Sequence, residues 1–126
     1  MSARIAVVTG AGSGIGRAVT RALLDAGFRV ALAGRREEAL HETADGHPDA
    51  LVVPTDVTVA DEVENLFARV VASWGRVDVL FNNAGAFGPA ASAADITLED
   101  WQRTLDVNVT GSLLCAGAAM RAMIAQ

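Results

Sequence analysis

Apolar positions along the chain fall into four short runs, and the stretches between these runs have helical spacing. The runs cover residues 5–8, 29–33, 50–53 and 77–81, each bounded by glycine or by polar turn residues. Runs of this length and composition predict buried strands. Strands that alternate with helices predict a parallel sheet with helices on both faces. We therefore expect an α/β fold, a doubly wound parallel sheet that forms one domain over residues 1–126.

The sequence also predicts where the helices begin and end. A first helix is expected to end at Gly27, because glycine commonly follows the last helical turn. Thr58 and Thr97 are each followed three residues later by an aspartate, the spacing of a capping box, so we expect them to cap the third and last helices. The last helix should begin near residue 98. Its half after Asp106 is almost uncharged, which predicts burial.

Four loops that follow the strands are predicted to meet at one edge of the sheet. They comprise residues 10–16, 34–36, 56–57 and 82–85. The carboxyl ends of parallel strands lie side by side, and ligands of doubly wound sheets bind at that edge. The sequence therefore predicts a ligand site built from all four loops.

The first of these loops is rich in glycine. Its candidate cofactor-binding residues are Gly10, Gly12, Ser13, Gly14, Ile15 and Gly16. The glycine spacing is G-x-x-x-G-x-G, whereas the common dinucleotide pattern G-x-G-x-x-G would need a glycine in place of Ile15. Unpaired amides and the positive dipole end at the start of the next helix predict a phosphate site. The alternative is a glycine-rich loop without a ligand.

Two arginines follow the second strand, in Gly34-Arg35-Arg36. A carboxylate at this position commonly binds the ribose hydroxyls of NAD, whereas an arginine suits the 2′-phosphate of NADP. We therefore expect NADP in preference to NAD, with Arg35 as a contact. The alternative is that both arginines are solvated and pair with Glu37 or Glu38.

The third and fourth strands are followed by further candidate contacts. Asp56 and Val57 follow the third strand, where Asp56 is placed to accept a hydrogen bond from an adenine amino group. The alternative is an aspartate that favours the positive end of the next helix dipole. Asn82, Ala84 and Gly85 follow the fourth strand. The amide can satisfy strand-end backbone groups, and the two small residues leave room for a ribose and a nicotinamide.

Asn108 lies inside the last predicted helix. An asparagine there is unfavourable unless its amide bonds a specific partner. We expect it to bend the helix and hold a water. The alternative is a polar residue tolerated at a kink.

Composition limits the classes of partner and compartment. The chain has 126 residues, a net charge of −5 and a pI of about 4.8, which argues against a nucleic-acid partner. Cys115 is its single cysteine, so no intrachain disulfide can form and a reducing compartment is indicated. The charge-free stretch 107–120 is shorter than a membrane span. We expect a soluble cytoplasmic protein with no membrane partner and no metal site.

Together these motifs resemble the classical short-chain dehydrogenases/reductases. The resemblance rests on Thr9-Gly10-Ala11-Gly12-Ser13-Gly14-Ile15-Gly16, on Asn82-Asn83-Ala84-Gly85, and on Asn108 in its Val-Asn-Val-Thr-Gly setting. Their order and spacing agree with the family, and Asp56 falls where the family has its adenine-contacting aspartate. The resemblance covers nearly all of this chain but only the N-terminal, cofactor-binding part of the family's domain.

The resemblance implies a Rossmann-like sheet, truncated after the fourth strand and the helix that follows it. It also implies an NAD(P)-dependent oxidoreductase that passes a hydride between the nicotinamide and a small carbonyl or alcohol substrate. Family members use a serine, a tyrosine and a lysine four residues after that tyrosine, with an asparagine that supports a proton relay. That asparagine corresponds to Asn108, the single catalytic residue of the set that maps here.

The chain departs from the family because it contains no tyrosine, and all ten of its basic residues are arginines. We therefore expect it to be inactive alone, as a piece of a longer enzyme. The alternative is a non-catalytic nucleotide-binding or interaction module. An uncovered sheet edge and an apolar last helix favour a homo-oligomer. Nothing in the sequence identifies the substrate.

Overall fold

A computed structural model describes residues 2–126 and contains one four-stranded parallel sheet. The strands are β1 (Ile5–Thr9), β2 (Arg29–Gly34), β3 (Ala50–Pro54) and β4 (Val79–Phe81), in the spatial order β3-β2-β1-β4. The chain runs outward from β1 to β3 and then crosses back to β4, which pairs with the other side of β1. This arrangement confirms the predicted α/β class and the Rossmann-like, doubly wound sheet.

Helices cover both faces of the sheet. They are α1 (Gly14–Asp25), α2 (Glu37–Ala44), α3 (Ala60–Trp74), α4 (Leu98–Leu105) and α5 (Gly111–Ala125), with a π-helical turn (Asp106–Thr110) between the last two. Successive side chains of a strand point to opposite faces. Ile5 and Val7 of β1 accordingly pack with α3 and α5, whereas Ala6 and Val8 pack with α1 and α2.

Two predicted element boundaries are wrong. Thr58 does not cap α3, because the helix starts at Ala60 and its N-cap is Val59. The fourth strand starts at Val79 rather than at residue 77. The backbone of Val77 is already paired, since its N–H donates to Gln126 Oε1 at 3.0 Å and its carbonyl accepts from Gln126 Nε2 at 2.9 Å. The second predicted cap is confirmed: the Thr97 hydroxyl accepts from the N–H of Asp100 at 3.1 Å.

The burial expected for the last helix holds for one side of α5 only. Gly111, Cys115, Ala118 and Ala119 are buried against the core. The opposite side carries Leu113, Met120 and Ile124, and Val109 of the π-helical turn lies in line with them; the four side chains are 58–80% exposed. We call these four residues the apolar stripe.

The helical stretch Leu98–Ala125 continues for 28 residues, twice the length of the charge-free segment noted in the sequence. By length and composition alone it could cross a membrane, with a mean hydropathy of 1.3 in its most apolar window, of which 22% is buried. A single helix of this kind is a weak indication, because core helices of soluble proteins have the same composition.

Candidate functional site

Three clefts meet at the carboxyl edge of the sheet, and Gly10 lines all of them. The arginine cleft is lined by Gly10, Gly12, Ser13, Gly34, Arg35, Arg36, Ala39 and Leu40. The aspartate cleft is lined by Gly10, Gly34, Arg35, Thr55, Asp56, Val57, Ala84, Gly85 and Val107. The asparagine cleft is lined by Gly10, Ser13, Gly14, Ile15, Asn83, Gly85, Ala86, Phe87 and Asn108. The structure therefore brings together nearly all of the residues that the sequence proposed for the site.

The glycine-rich loop turns so tightly that side chains are excluded at two positions. Gly10 has φ = +63°, a backbone conformation that L side chains rarely adopt. A Cβ on Gly16 would lie 2.0 Å from the carbonyl oxygen of Gly10. Ser13 is the N-cap of α1 but makes no side-chain cap bond. The first amides of α1 have no intrahelical acceptor and open on this loop, which is the arrangement of an anion site.

Sequence reasoning missed the pair that joins the first and fourth loops, Thr9 and Asn83. The hydroxyl of Thr9, which is fully buried, accepts from the N–H groups of Asn83 and Ala84, each at 2.9 Å. The Asn83 side-chain amide donates to the carbonyl oxygens of Thr9 at 3.2 Å and Gly10 at 3.4 Å. Both residues act on the backbone. The signal that could have identified them is a polar residue at the end of each of two apolar runs.

Arg35 and Arg36 are exposed at the mouth of the arginine cleft, and Arg36 is the N-cap of α2. Within residues 2–126 neither arginine forms an ion pair with Glu37 or Glu38. Glu37 lies 3.7 Å from His41 instead. None of the described residues lining this cleft is acidic. The cleft therefore presents positive charge to a ligand.

Asp56 has a fixed orientation in the aspartate cleft. Its Oδ1 accepts from the Thr58 hydroxyl at 2.7 Å and from the Thr58 N–H at 3.0 Å. The hydroxyl bond is the main cause that holds the pKa of Asp56 below its ordinary value of 3.8, with further help from the Thr58 N–H and from Arg35. Thr58 thus orients a site carboxylate and is not available to cap α3. The neighbouring Val57 is 6% exposed and packs in the core with α3 and α5.

The two asparagines beside the fourth strand and in the last helix are both held by backbone groups. Asn82 donates from Nδ2 to the carbonyl oxygen of Ser112 at 2.8 Å. Asn108 bonds both backbone groups of Ala86: its Oδ1 accepts from the N–H at 2.7 Å, and its Nδ2 donates to the carbonyl at 2.8 Å. The helix widens into the π-helical turn at Asn108. The distortion therefore aligns the amide with the loop that follows β4.

Other reactive side chains lie outside the clefts. Cys115 is fully buried, and burial raises the pKa of its thiol to about 11, so it remains protonated at neutral pH. In the part of the chain that the structure describes, no group of three or more His, Cys, Asp or Glu side chains could hold a metal ion. The chemistry available at this edge is therefore binding of an anionic, hydrogen-bonding ligand along the three clefts.

Comparison with protein families gives a match over almost the whole chain. The sequence pattern described as short chain dehydrogenase matches residues 4–126. A relative from Staphylococcus aureus, named an uncharacterized oxidoreductase, is 39% identical over 125 residues, which are 98% of this chain and 54% of that protein. The chain thus spans about half the length of the curated relatives that it matches.

Two solved structures give the same picture. A short-chain type dehydrogenase/reductase from Mycobacterium marinum superposes with a TM-score of 0.92 at 38% identity, covering 99% of this chain and 52% of that one. A variant of actinorhodin polyketide ketoreductase with NADPH superposes with a TM-score of 0.88 at 36% identity, covering 95% of this chain and 47% of that one.

Proposed function

Because this chain belongs to the short-chain dehydrogenase family, we propose that it forms the cofactor-binding half of an NAD(P)-dependent oxidoreductase. The substrate would be a small carbonyl or alcohol compound. The observation that carries this proposal is the meeting of three clefts at Gly10, which gives one continuous surface for a dinucleotide. The name of the S. aureus relative and the NADPH in the ketoreductase structure support the same activity.

The residues present would fit the phosphates and the adenosine of a dinucleotide, and its nicotinamide would lie at the exposed end of the site. The phosphates would lie at the start of α1, where Gly12, Ser13, Gly14 and Ile15 surround the first free amides. Asp56 would accept a hydrogen bond from the adenine with the carboxylate oxygen that Thr58 leaves available. The nicotinamide end would extend past Gly85 towards Asn108. When bound, the cofactor supplies or accepts a hydride.

We propose that NADP is preferred to NAD, because Arg35 and Arg36 border a cleft without an acidic lining residue. The test is a titration of the chain with NADPH and with NADH. The readout is the nuclear magnetic resonance chemical shifts of the loop amides. Arg35→Ser should reduce the preference for NADPH by about tenfold, the size of one charge-assisted hydrogen bond. Arg29→Ser is the matched control, since Arg29 lies at the opposite edge of the sheet beside Asp49. Tighter binding of NADH by the unaltered chain would contradict the preference.

Asn108 is the one proposed catalytic residue, as a support for a proton relay. Carbonyl reduction needs a proton donor of suitable pKa within hydrogen-bond reach. The family's tyrosine and lysine are absent from this sequence. We therefore propose that the chain alone does not reduce carbonyls. Oxidation of NADPH by the purified chain with any member of a broad ketone panel would refute this.

A second candidate is a nucleotide-binding or interaction module without catalysis. The absence of tyrosine and lysine is the observation that favours it. Reading the coding sequence beyond Gln126 separates the two candidates. A serine and a Tyr-x-x-x-Lys motif in frame would support the oxidoreductase, and a stop codon would support the module.

We propose a homo-oligomer in which the apolar stripe of one copy faces that of another. The stripe exposes four large apolar side chains along one side of the last helix. Light scattering should give a mass above that of a 13.0 kDa monomer. Leu113→Glu should shift the mass towards the monomer, whereas Glu64→Gln on α3 should not. A monomeric unaltered chain would contradict the proposal.

We also propose a cytoplasmic location without a membrane or nucleic-acid partner. The net charge of −5 and the single buried cysteine support it. The apolar composition of Leu98–Ala125 would instead favour contact with a membrane. Flotation of the chain with neutral lipid vesicles tests whether it binds a membrane. Recovery of the protein with the vesicles would contradict the proposal.

A further inference from the structure

Arg17 connects the glycine-rich loop to α2, although it lies outside every cleft of the candidate site. It follows Gly16 in the first turn of α1, and its side chain is 30% exposed. Its Nη2 donates to the carbonyl oxygen of Gly12 at 2.7 Å, and its Nε donates to the Thr43 hydroxyl at 2.9 Å. The same Nη2 lies 3.3 Å from Glu42 Oε2.

Thr43 completes the connection from α2. It is 1% exposed, and its hydroxyl accepts from Arg17. The carbonyl oxygen of Ala11, at 2.8 Å, is the nearer acceptor for the hydroxyl proton, and that of Ala39 lies at 3.1 Å. Two consecutive carbonyl groups of the loop, those of Ala11 and Gly12, are thereby bonded to side chains of α1 and α2.

Fixing these carbonyls also fixes the amides that follow them. A trans peptide is planar, so the N–H of each following residue points away from the bonded carbonyl. The bonds to the carbonyls of Ala11 and Gly12 therefore set the directions of the N–H groups of Gly12 and Ser13. These last two residues line the arginine cleft. Glycine imposes little restraint of its own on these peptide planes. If a plane turned over, a carbonyl oxygen would replace an N–H and repel an anion.

We propose that Arg17 and Thr43 are positioning residues for dinucleotide phosphates, an inference that rests on the proposed function. They hold the peptide planes after Ala11 and Gly12 in the orientation that presents N–H groups to the ligand. Because Thr43 lies on the helix that begins after Arg36, they also join the phosphate loop and the arginines into one ordered unit.

Arg21 provides a matched control for Arg17. It lies one helical turn further along α1 and also reaches α2, donating from Nη2 to the carbonyl oxygen of Glu42 at 3.1 Å and from Nε to that of Thr43 at 3.4 Å. It makes no side-chain hydrogen bond to the glycine-rich loop. Arg17→Met and Arg21→Met therefore remove equal charge and similar links between the helices, but only the first releases the loop.

The first measurement needs no ligand. Backbone order parameters of Gly12 and Ser13 should fall in Arg17→Met from the rigid level of about 0.85 to below about 0.6. They should not change in Arg21→Met. Thr43→Val should lower these order parameters as Arg17→Met does, and Thr43→Ser should keep them at the rigid level. Unchanged order in Arg17→Met, or an equal loss in both arginine variants, would overturn the proposal. If Arg17→Met does not fold, the two Thr43 variants decide in its place.

The second measurement separates the phosphates from the adenosine. The affinities for NADPH and for inorganic pyrophosphate, measured by titration, should fall about tenfold in Arg17→Met. This is the size expected for losing the one charge-assisted hydrogen bond that Arg17 donates to the loop. The affinity for adenosine should stay the same. A parallel loss for adenosine would mean that the whole site has collapsed, and it would refute a positioning role. If the unaltered chain does not bind NADPH, the proposed function fails, while the order parameters still decide the inference about Arg17.

Discussion

The two ends of the candidate site are built in different ways. At the end formed by β1, β2, α1 and α2, the strand residues other than Arg29 and Gly34 are buried, and two loop carbonyls bond to side chains of the helices. At the other end, every residue from 85 to 99 is exposed, and β4 has only three residues, all partly buried. The first end is held by core packing, whereas the second combines the partial packing of β4 against the core with a few hydrogen bonds from Thr9 and Asn108.

This difference predicts that the two ends would contribute differently to the binding of a dinucleotide. The end that would receive the phosphates and the adenosine rests on buried strands and on bonded loop carbonyls. The end that would receive the nicotinamide is exposed around Phe87, which has no burial at all. Local opening is easiest where few apolar contacts hold the backbone. The second end should therefore be the more dynamic one.

The largest expected effect tests the packing difference directly. Leu32 on β2 is fully buried, so Leu32→Ala should lower the free energy of unfolding by about 2 to 5 kcal/mol. Leu98 at the start of α4 is 79% exposed, so Leu98→Ala should change it by less than about 0.5 kcal/mol. Urea denaturation of both variants measures this. Equal effects would abolish the distinction between the two ends.

A slightly smaller effect is expected at the joint between the ends. Thr9→Val removes the hydroxyl that accepts from the amides of Asn83 and Ala84 and leaves both without that partner. The loss should be about 2 to 4 kcal/mol. Two unpaired groups at about 1 to 3 kcal/mol each would give about 2 to 6 kcal/mol, and the lower part of that range applies because both groups are only partly buried. Urea denaturation gives the value, with Thr9→Ser as the control that keeps the hydroxyl. If Thr9→Val were as stable as Thr9→Ser, the joint would not depend on these bonds.

Asn108→Ala should have a modest and local effect. Its two bonds to Ala86 are exposed, so their loss should cost about 1 kcal/mol in unfolding free energy. Amide hydrogen exchange should accelerate at Ala86 and leave Val8 and Leu32 protected. Faster exchange throughout the sheet would instead show that both ends unfold as a single unit.

The smallest effect concerns the ionisation of Asp56. Its folded-state pKa lies below 3.8, so the stabilisation from the carboxylate is fully present above that pH and is lost as the pH falls through the folded pKa. Thr58→Val should raise this pKa towards the ordinary value, because the main cause of its depression is removed. A carbon-13 titration of the Asp56 carboxyl measures the change. Thr58→Ser should keep the pKa low, and an unmoved pKa in Thr58→Val would exclude the hydroxyl as its main cause and leave the backbone N–H of residue 58 and Arg35.

The strands and their parallel arrangement could be predicted because apolar periodicity and chain order determine them. The start of β4 could not, since the bonds to Val77 come from Gln126, 49 residues away. The role of Thr58 was misassigned for a local reason. Its spacing to Asp61 fits a capping box, but Asp56 lies only two residues away and binds the same hydroxyl.

The need for glycine was predictable at Gly10 and Gly16, where the turn excludes side chains, whereas the binding roles of the candidate residues stay predictions. The roles of Thr9, Asn83 and Arg17 escaped because these residues act on backbone carbonyl and amide groups, and the fold decides which of those groups they reach. The preference for NADP, the location and the oligomeric state remain predictions.

The π-helical turn at Asp106–Thr110 has a consequence for the register of the last helix. A π turn holds one residue more than the α-helical path between the same ends. Each residue rotates an α-helix by about 100°. If this turn became α-helical and kept all of its residues, α5 would therefore rotate by roughly that angle relative to α4. Cys115 and Ala118 would turn away from α3 towards solvent. The π-helical turn thus accommodates the extra residue without this rotation. The helical segment before it faces the loop after β4, and the segment after it faces the core.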